Sequence, residues 1–591
     1  MKLTNEQNQI IKCKSNNIVV QALAGTGKTT TLIEFTKANK DQKFLYVAFN
    51  KSIVEEATQK FPANVTVKTV HSMAFQWFNL NYPDKFLSTF IPFAKMESFF
   101  KSKNIEINFP AVNRINNLLK LFYSSNLKKI EDTRTETGLE FSNGDIEKAK
   151  LILLDLKSKK GILNPTHDFY LKLYHLAEIQ LTGYDYILFD ESQDSNDVIT
   201  AIVLQQNTKK IFVGDRHQAI YQFRGSRDAL TGFEKQADNI FHLTETFRYG
   251  DNLAKIASSF LNNYKLESKT IKGLEKDTTI FIYDKIEDMK SGDEIIDYIK
   301  NVVLENKKNN LTTCFISYKN IGVLDIIEKI FEYNEENKLN KIKFKLNGDL
   351  NKYNFDMIKI IYELVKQEKQ YSHDGKKSPK VDLIFKEKFT DVFESNSNNP
   401  FASKSQPNTF KTFIEKNSLK QLKDYFKDYK TTKEFCDHME EQKKSAAGDD
   451  IYKAYKLAMR LVKYGKRDFI KDIESNQRNE NSPDFILTTA HIAKGLEWDS
   501  VILSDDLFNV FFNKNKYSKF HKVDLNTMKN GLIKKLGVPF GGEFHQFQNW
   551  IKVEDEYNQE ANLIYVSLTR AKKSIYIPEK LVNELNLIIE E

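Results

Sequence analysis

The chain has 591 residues, 28% of them charged, and a formal net charge of +8 at pH 7. That length exceeds one hydrophobic core and predicts three or four domains or subdomains, while the mild basic excess suits a polyanionic partner and ordinary solubility alike. Cys13, Cys314 and Cys436 stand far apart without CxxC spacing, which argues against a zinc ribbon, an iron–sulfur cluster or a disulfide scaffold. The N-terminus has no apolar h-region, and no run of about 18 apolar residues occurs. The expectation is a soluble, cytoplasmic chain in a reducing compartment, with no membrane partner.

Leu3-Thr4-Asn5-Glu6-Gln7 opens a short amphipathic helix. Gln7 lies a short loop before the next strand, and its amide has the donor and acceptor needed to read an adenine edge. An exposed glutamine at a helix start fits the same pattern. The apolar run Ile18 to Val20 then leads into Ala22-Leu23-Ala24-Gly25-Thr26-Gly27-Lys28-Thr29-Thr30, followed by a helix-like segment near Leu32. This is a P-loop pattern with Ala22 where the first glycine usually stands: a strand delivers backbone N–H groups that wrap phosphate at a helix N-terminus. Lys28 is the candidate contact to the β- and γ-phosphates. The Thr29 hydroxyl is the candidate Mg²⁺ ligand, because a hard cation takes oxygen donors.

Lys43 to Phe49 and Val65 to Thr69 read as buried parallel strands ending in Phe49-Asn50-Lys51 and Thr69-Val70-His71-Ser72. Ligands of open α/β sheets bind at such carboxyl ends, although a core Phe49 and a structural His71 also fit. Residues 82–163 turn to Lys, Asn and aromatics at helical spacing and predict a helical insertion. The strand Tyr186 to Phe189 ends in Asp190-Glu191-Ser192-Gln193-Asp194. Adjacent carboxylates after a buried strand are costly unless they meet a cation or a reacting water. Asp190 is therefore the candidate metal ligand, direct or through water, and Glu191 the candidate base. Ile211 to Asp215 ends a further strand, followed by Gln218, suited to a γ-phosphate, and by Tyr221, Phe223 and Arg224. Interleaved aromatics and cations suit single-stranded nucleic acid, where stacking contributes about 1 to 3 kcal/mol per base; a buried aromatic strand is the other reading.

Ile280 to Tyr283 and Thr313 to Ser317 read as strands around a helix, and Phe344 to Gly348 as a strand and turn before a second insertion, 367–481. Glu394 to Asn408 in that insertion is Ser/Asn/Pro-rich and reads as a mobile loop. Phe485 to Thr489 and Val501 to Ser504 restore the strand alternation. The basic, aromatic connection between Asp505 and Glu556 fits a DNA contact or a solvated insert.

In order, Gln7, AGTGKTT, DESQD, GDRHQAIYQFRG, Leu243-Thr244-Glu245-Thr246-Phe247-Arg248, Thr488 to Trp498 and Tyr565-Val566-Ser567-Leu568-Thr569-Arg570-Ala571 resemble the motif set of UvrD/Rep/PcrA-like superfamily 1 helicases. Pro165 to Leu173 and Asn562 to Val566 are most similar to the helicase portion of the F-box DNA helicase branch. No F-box precedes Leu3, so that branch's ubiquitin-ligase role is not carried over, and no appended nuclease is expected after Arg570.

The resemblance implies an α/β fold with two RecA-like, parallel-sheet P-loop motor domains, each with a mainly helical insertion. These are 1–81 with 164–250 (1A), 82–163 (1B), 251–366 with 482–591 (2A) and 367–481 (2B). It implies ATP and Mg²⁺ as cofactors, held by Gln7, Ala24, Gly25, Thr26, Gly27, Lys28, Thr29, Thr30 and Asp190. Phe247 stacks on adenine and Glu497 meets the sugar in this resemblance, while Gln218, Arg248 and Arg570 approach the γ-phosphate, the arginines from the second motor's side. Phe49, Asn50, Thr69, His71, Tyr221, Phe223, Arg224, Thr489 and His491 line a DNA strand. Phe223 and Phe247 stand where tryptophan and tyrosine are common, and Asn562 replaces an arginine, which leaves the anchoring of the last motif's helix open.

The activity implied is 3′ to 5′ translocation on single-stranded DNA, with ATP hydrolysis coupled to unwinding or protein displacement and partners that include single-strand/duplex junctions. A DNA-binding ATPase that senses or displaces without productive unwinding fits the same motifs. An inactive scaffold is disfavoured by the presence of Lys28, Glu191, Arg248 and Arg570.

Overall fold

The computed structural model describes residues 3–48, 51–88, 90–133, 141–220, 229–283, 292–339, 341–348, 355–380, 429–441, 450–463, 469, 473, 483–512 and 542–585. By contacts the chain divides into two compact units. The first holds Met1–Ile280, Phe508–Ile575 and Leu581–Glu591, and the second holds Phe281–Leu507 and Tyr576–Lys580.

The first unit is built on a six-stranded sheet of β1 (Asn17–Ala22), β2 (Phe44–Ala48), β3 (Val65–Thr69), β4 (Tyr186–Phe189), β5 (Lys209–Gly214) and β6 (Asn239–Leu243), in the order β3-β2-β4-β5-β1-β6. All the pairings are parallel, with Val19 opposite Phe212 and Tyr46 opposite Leu188. Successive side chains point to opposite faces of a strand, so each strand feeds two cores. Ile18, Val20, Phe44, Tyr46, Leu188 and Val213 join Leu32 and Phe35 of the helix Lys28–Ala38 on one face. Val19, Leu45, Val47, Ile187, Phe189 and Phe212 form the other core, continuous with Phe99, Phe100, Ile115, Phe122 and Ile152 of the helical segment 93–157. The helices expected in 82–163 are present as Phe93–Lys101, Phe109–Ser124 and Asn143–Lys157.

One strand departs from expectation. β3 lies at the sheet edge and none of its residues is buried, because the alternation V-T-V-K-T suits an edge strand covered on one side as well as a central one. Beyond the sheet, β7 (Glu245–Gly250) pairs with β8 (Lys272–Leu274), and the helix Asp251–Lys265 connects them. The helix Gly542–Leu568 also belongs to this unit.

The second unit is organised on the parallel strands β9 (Thr313–Ser317), β10 (Phe344–Leu346), β11 (Phe485–Thr489) and β12 (Trp498–Leu503), in the order β10-β11-β9-β12. Its core runs from Phe315, Ile327 and Leu487 into the helix Phe355–His373 and the helix Asp450–Lys463, through Leu364, Ala454 and Leu461. The contact division falls after Ile280, and the helix Phe355–His373 runs without a break through residues 366 and 367. Among the described residues no helix is long and apolar enough to cross a membrane.

Candidate functional site: the phosphate loop and its carboxylates

Apolar β1 ends in a loop whose backbone demands glycine at two places. Gly25 and Gly27 have φ of +75° and +77°, a region that residues with a Cβ rarely enter. A Cβ on Gly25 would lie 2.4 Å from Thr246 Oγ1 and 2.9 Å from Arg248 Cβ; one on Gly27 would lie 3.0 Å from Gln7 Nε2 and 3.3 Å from Phe247 Cε2. The Phe247 N–H donates to the Gly25 carbonyl at 2.8 Å. The two residues expected at adenine, Gln7 and Phe247, therefore meet at Gly27. Gly27 is also the N-cap of the helix Lys28–Ala38 and offers it no side-chain cap. The first-turn N–H groups have no acceptor within the helix, and with the helix dipole they make an anion site.

Gln7 is 1% exposed, so it is not the exposed helix-start glutamine of the alternative reading. Its Oε1 accepts from Thr4 N at 3.0 Å in a reciprocal capping box, and its Nε2 donates to Thr31 Oγ1 at 3.0 Å. Thr26, 1% exposed, donates its hydroxyl to the Leu23 carbonyl at 2.8 Å. Ala24 is fully buried, and Thr30 lies in the first turn of the helix.

Strand β4 delivers the acidic pair to the same place. Lys28 Nζ lies 3.0 Å from each Glu191 carboxylate oxygen. Thr29 Oγ1 donates to Asp190 Oδ2 at 2.9 Å, and Tyr46 Oη donates to the same oxygen at 3.0 Å. Burial first, then the Glu191 charge, raises the Asp190 carboxyl, partly offset by Lys28 and Thr29. Burial opposes the Lys28 charge, but Glu191, Asp215 and Asp190 outweigh it and hold the ammonium above its usual value. Glu191 has φ 48° and ψ 37°. A non-glycine residue held in that left-handed region costs of order 1–3 kcal/mol, and such residues cluster at functional sites. Gln193 braces the turn: its Nε2 donates to Glu191 Oε2 at 2.6 Å, and its Oε1 accepts from Asp215 N at 3.1 Å.

At the end of β5 the 3₁₀ turn Arg216–Gln218 carries the third group. Gln218, 6% exposed, donates from Nε2 to Asp215 Oδ2 at 2.7 Å and accepts from Arg570 Nη2 at 3.4 Å. Arg570 is 1% exposed and donates from Nε to the Val566 carbonyl at 2.7 Å; burial first, then the Arg248 charge, lowers its guanidinium to about 9. Arg248 Nη1 donates to the Thr569 carbonyl at 2.9 Å. Both arginines lie in the compact unit that carries the P-loop, where the helix Gly542–Leu568 packs on the Arg216–Gln218 turn. Asn562, 2% exposed, donates from Nδ2 to the Ala219 carbonyl at 2.8 Å, which answers how that helix is anchored without the arginine.

The expected strand contacts divide differently. Thr69 caps the helix Val70–Asn81, its Oγ1 accepting from Ser72 N at 3.0 Å. His71 is half-buried, its ring edge-on to Tyr170, and burial lowers its imidazole. Thr489 (buried), His491 (half-buried) and Glu497 (exposed) belong to the second unit. Phe49, Asn50, Tyr221, Phe223 and Arg224 lie outside the described residues, as does residue range 394–408 and most of 505–556.

Sequence reasoning did not assign Tyr46, Gln193, Asp215 and Tyr565 a part in this site. Gln193, Asp215 and Tyr565 sit inside the quoted motifs and were open to recognition. Tyr46 shows its role only through the register that sets β2 beside β4.

Residues 7–224 match the AAA domain family model, and residues 321–580 match the model of the UvrD-like helicase C-terminal domain. The chain belongs to the UvrD-like superfamily 1 helicases. It is similar to F-box DNA helicase 1 of Gallus gallus, 28% identical over 99% of this chain and 50% of the relative. F-box DNA helicase protein 1 of Schizosaccharomyces pombe is 26% identical, over 97% of this chain and 57% of the relative. A probable DNA helicase II homolog of Mycoplasma genitalium is 22% identical, over 97% of this chain and 84% of the relative. The chain thus spans about half the length of the two F-box relatives. In this UvrD-like chain Lys28 and Thr29 meet Glu191 and Asp190, and Gln218 meets Arg570.

Proposed function

We propose that this UvrD-like chain is an ATP-driven DNA helicase or translocase that moves 3′ to 5′ on single-stranded DNA and acts at single-strand/duplex junctions. The observation that carries the reading is the meeting of Lys28 and Thr29 with Asp190 and Glu191 at a helix N-terminus lacking a side-chain cap. The donor set fits Mg²⁺ with a nucleotide. Magnesium takes one or two protein oxygens together with phosphates, and Thr29 and Asp190 offer a hydroxyl and a carboxylate side by side. Bound there, the ion would supply charge neutralisation of the phosphates.

The protein's own part follows from the geometry. The cradle at Gly25 and Gly27 holds phosphate by backbone N–H groups, and the Lys28 ammonium adds its charge. Gln7 and Phe247, meeting at Gly27, bracket the base. Glu191 orients and deprotonates water, with Gln193 fixing its carboxylate. Gln218, Arg248 and Arg570 supply donors to the transferred phosphoryl group, the type of contact that contributes about 10³ to 10⁵ in related chemistry. Thr69, His71, Thr489 and His491, with Phe49, Asn50, Tyr221, Phe223, Arg224 and the sugar-contacting Glu497, complete the proposal, as do the four domains 1A, 1B, 2A and 2B.

The test is strand displacement on duplexes with 3′ or 5′ single-stranded tails, run with and without ATP beside an ATPase assay. ATP-dependent displacement of the 3′-tailed substrate alone is expected. DNA-stimulated hydrolysis with no displacement on either substrate would turn the reading to an ATPase that senses or displaces without unwinding.

A further inference from the structure

The 3₁₀ turn Arg216–Gln218 is gripped residue by residue from different elements. Arg216 Nη2 meets Glu234 Oε1 at 3.0 Å, Gln218 is held by Asp215 and Arg570, and the Ala219 carbonyl is held by Asn562. Between them, His217 is 3% exposed and its Nε2 lies 2.8 Å from Glu267 Oε2. Glu267 follows Leu266, which closes the helix Asp251–Lys265 in a left-handed conformation at φ 51°. The start of that helix comes three residues after Arg248. One helix therefore has Arg248 just before its first turn, and just after its last turn the carboxylate that holds the residue next to Gln218.

The pair is built to be directional. Burial acts against the Glu267 charge, but the hydrogen bond from His217, the Lys269 N–H and the charges of His217 and Arg216 bring its carboxyl down to about 2. An ionised carboxylate accepts only, so His217 must donate from Nε2, which fixes how the ring stands. The ring packs edge-on to Tyr565 at 6.0 Å between centroids, and Tyr565 Oη accepts from Ala24 N of the phosphate loop at 2.9 Å. His217 Nδ1 is buried without a hydrogen-bond partner among the described residues. The His217 backbone N–H donates to Asp215 Oδ1 at 3.0 Å, so the imidazole itself is placed by Nε2 and by ring packing.

We infer that Glu267, acting through His217, is a positioning residue that holds the Gln218 amide in register with Arg570 for phosphoryl transfer. The inference rests on the ATPase reading above. Displacing a reacting or donor group by about 1 Å can cost about 10²-fold in rate, so a positioning role has a rate signature that a purely structural contact lacks.

The experiment is a double-mutant cycle of Glu267→Ala and Gln218→Ala in the full chain, with DNA-stimulated kcat, KM for ATP and melting temperature measured on each preparation. Glu267→Ala is expected to lower kcat by roughly 10- to 100-fold with KM nearly unchanged, and to lower it no further when Gln218 is already alanine. Glu267→Gln keeps an acceptor for His217 Nε2 and is expected to restore most of the rate. Should Glu267→Ala fail to fold, Glu267→Asp keeps the charge but withdraws it by one methylene, and the same loss in kcat at an unchanged melting temperature is expected. Additive losses in the double mutant, an unchanged kcat, or no rescue by glutamine overturns the positioning role. A wild-type chain with no ATPase activity instead overturns the functional reading beneath it.

Discussion

Tyr565 Oη accepts a hydrogen bond from the backbone N–H of Ala24 at 2.9 Å, joining the last motif's helix to the phosphate loop across 541 residues of sequence. Both residues are fully buried. Tyr565→Phe keeps the ring and removes the acceptor, and an unsatisfied buried donor costs about 1–3 kcal/mol. A lower melting temperature and a raised KM for ATP are expected together, because the N–H concerned belongs to the loop that holds phosphate. A mutant indistinguishable from wild type in both measurements would show that this bond orders nothing.

The three carboxylates around Lys28 make a second prediction. Lys28→Ala leaves Asp190, Glu191 and Asp215 without the cation they share, so hydrolysis is expected to vanish while nucleotide-free binding of single strands persists. Glu191→Gln acts in the opposite electrostatic sense: it removes the charge that raises the Asp190 carboxyl. Loss of a positioned base typically costs about 10²- to 10⁴-fold, so ATP binding without turnover is expected at an unchanged or higher melting temperature. Isothermal titration beside a turnover assay separates the two mutants.

Lys172 carries a prediction about pH. Its side chain, from the helix His167–Leu176, is buried against the helical segment 93–157, where Nζ donates to the Ser125 and Leu127 carbonyls and lies 4.4 Å from the Phe122 ring centroid. Burial, only partly opposed by Asp197, lowers the ammonium to about 7 from 10.5. Between those values the unfolded chain binds the extra proton and the folded chain does not, so this group's contribution to stability rises with pH from about 7 to about 10.5. Below that window the lysine is charged in both states and the burial cost is complete. The difference in melting temperature between wild type and Lys172→Met should therefore change steadily across the window; a constant difference would contradict it.

Much of this site was legible because it is local. The strand-to-loop sequence from Ile18 to Thr30, the carboxylates behind Phe189 and the Gly214-Asp215 turn each combine a period-2 apolar run with polar residues at its carboxyl end. The contacts that tie those pieces together were not. Tyr46 reaches Asp190 only because β2 and β4 pair in a particular register, and Glu267 reaches His217 only because the chain turns back after Leu266. Residues such as these have ordinary local sequence, and their roles depend on what lies opposite. The edge position of β3 illustrates the same limit, since V-T-V-K-T carries no mark of which neighbour is missing.

Asn562 shows how a departure from a family pattern is absorbed. Its Nδ2 donates to the Ala219 carbonyl at 2.8 Å and approaches the Arg216 carbonyl at 3.5 Å, while its Oδ1 has no partner among the described residues. Asn562→Ala removes the donor and leaves a buried carbonyl unpaired, at about 1–3 kcal/mol. Asn562→Asp is expected to be worse at neutral pH, because a buried carboxylate then faces a carbonyl that can only accept. The introduced acid would have a raised folded pKa, so its penalty falls as pH drops and the protonated form regains an O–H donor. Since Ala219 follows Gln218 directly, both mutants should also lose DNA-stimulated kcat. Melting temperature and kcat measured at pH 5.5 and 8 should show the aspartate mutant recovering toward wild type at the lower pH while the alanine mutant does not. Parallel behaviour of the two across that range would mean that the Asn562 amide does not hold the Gln218 turn.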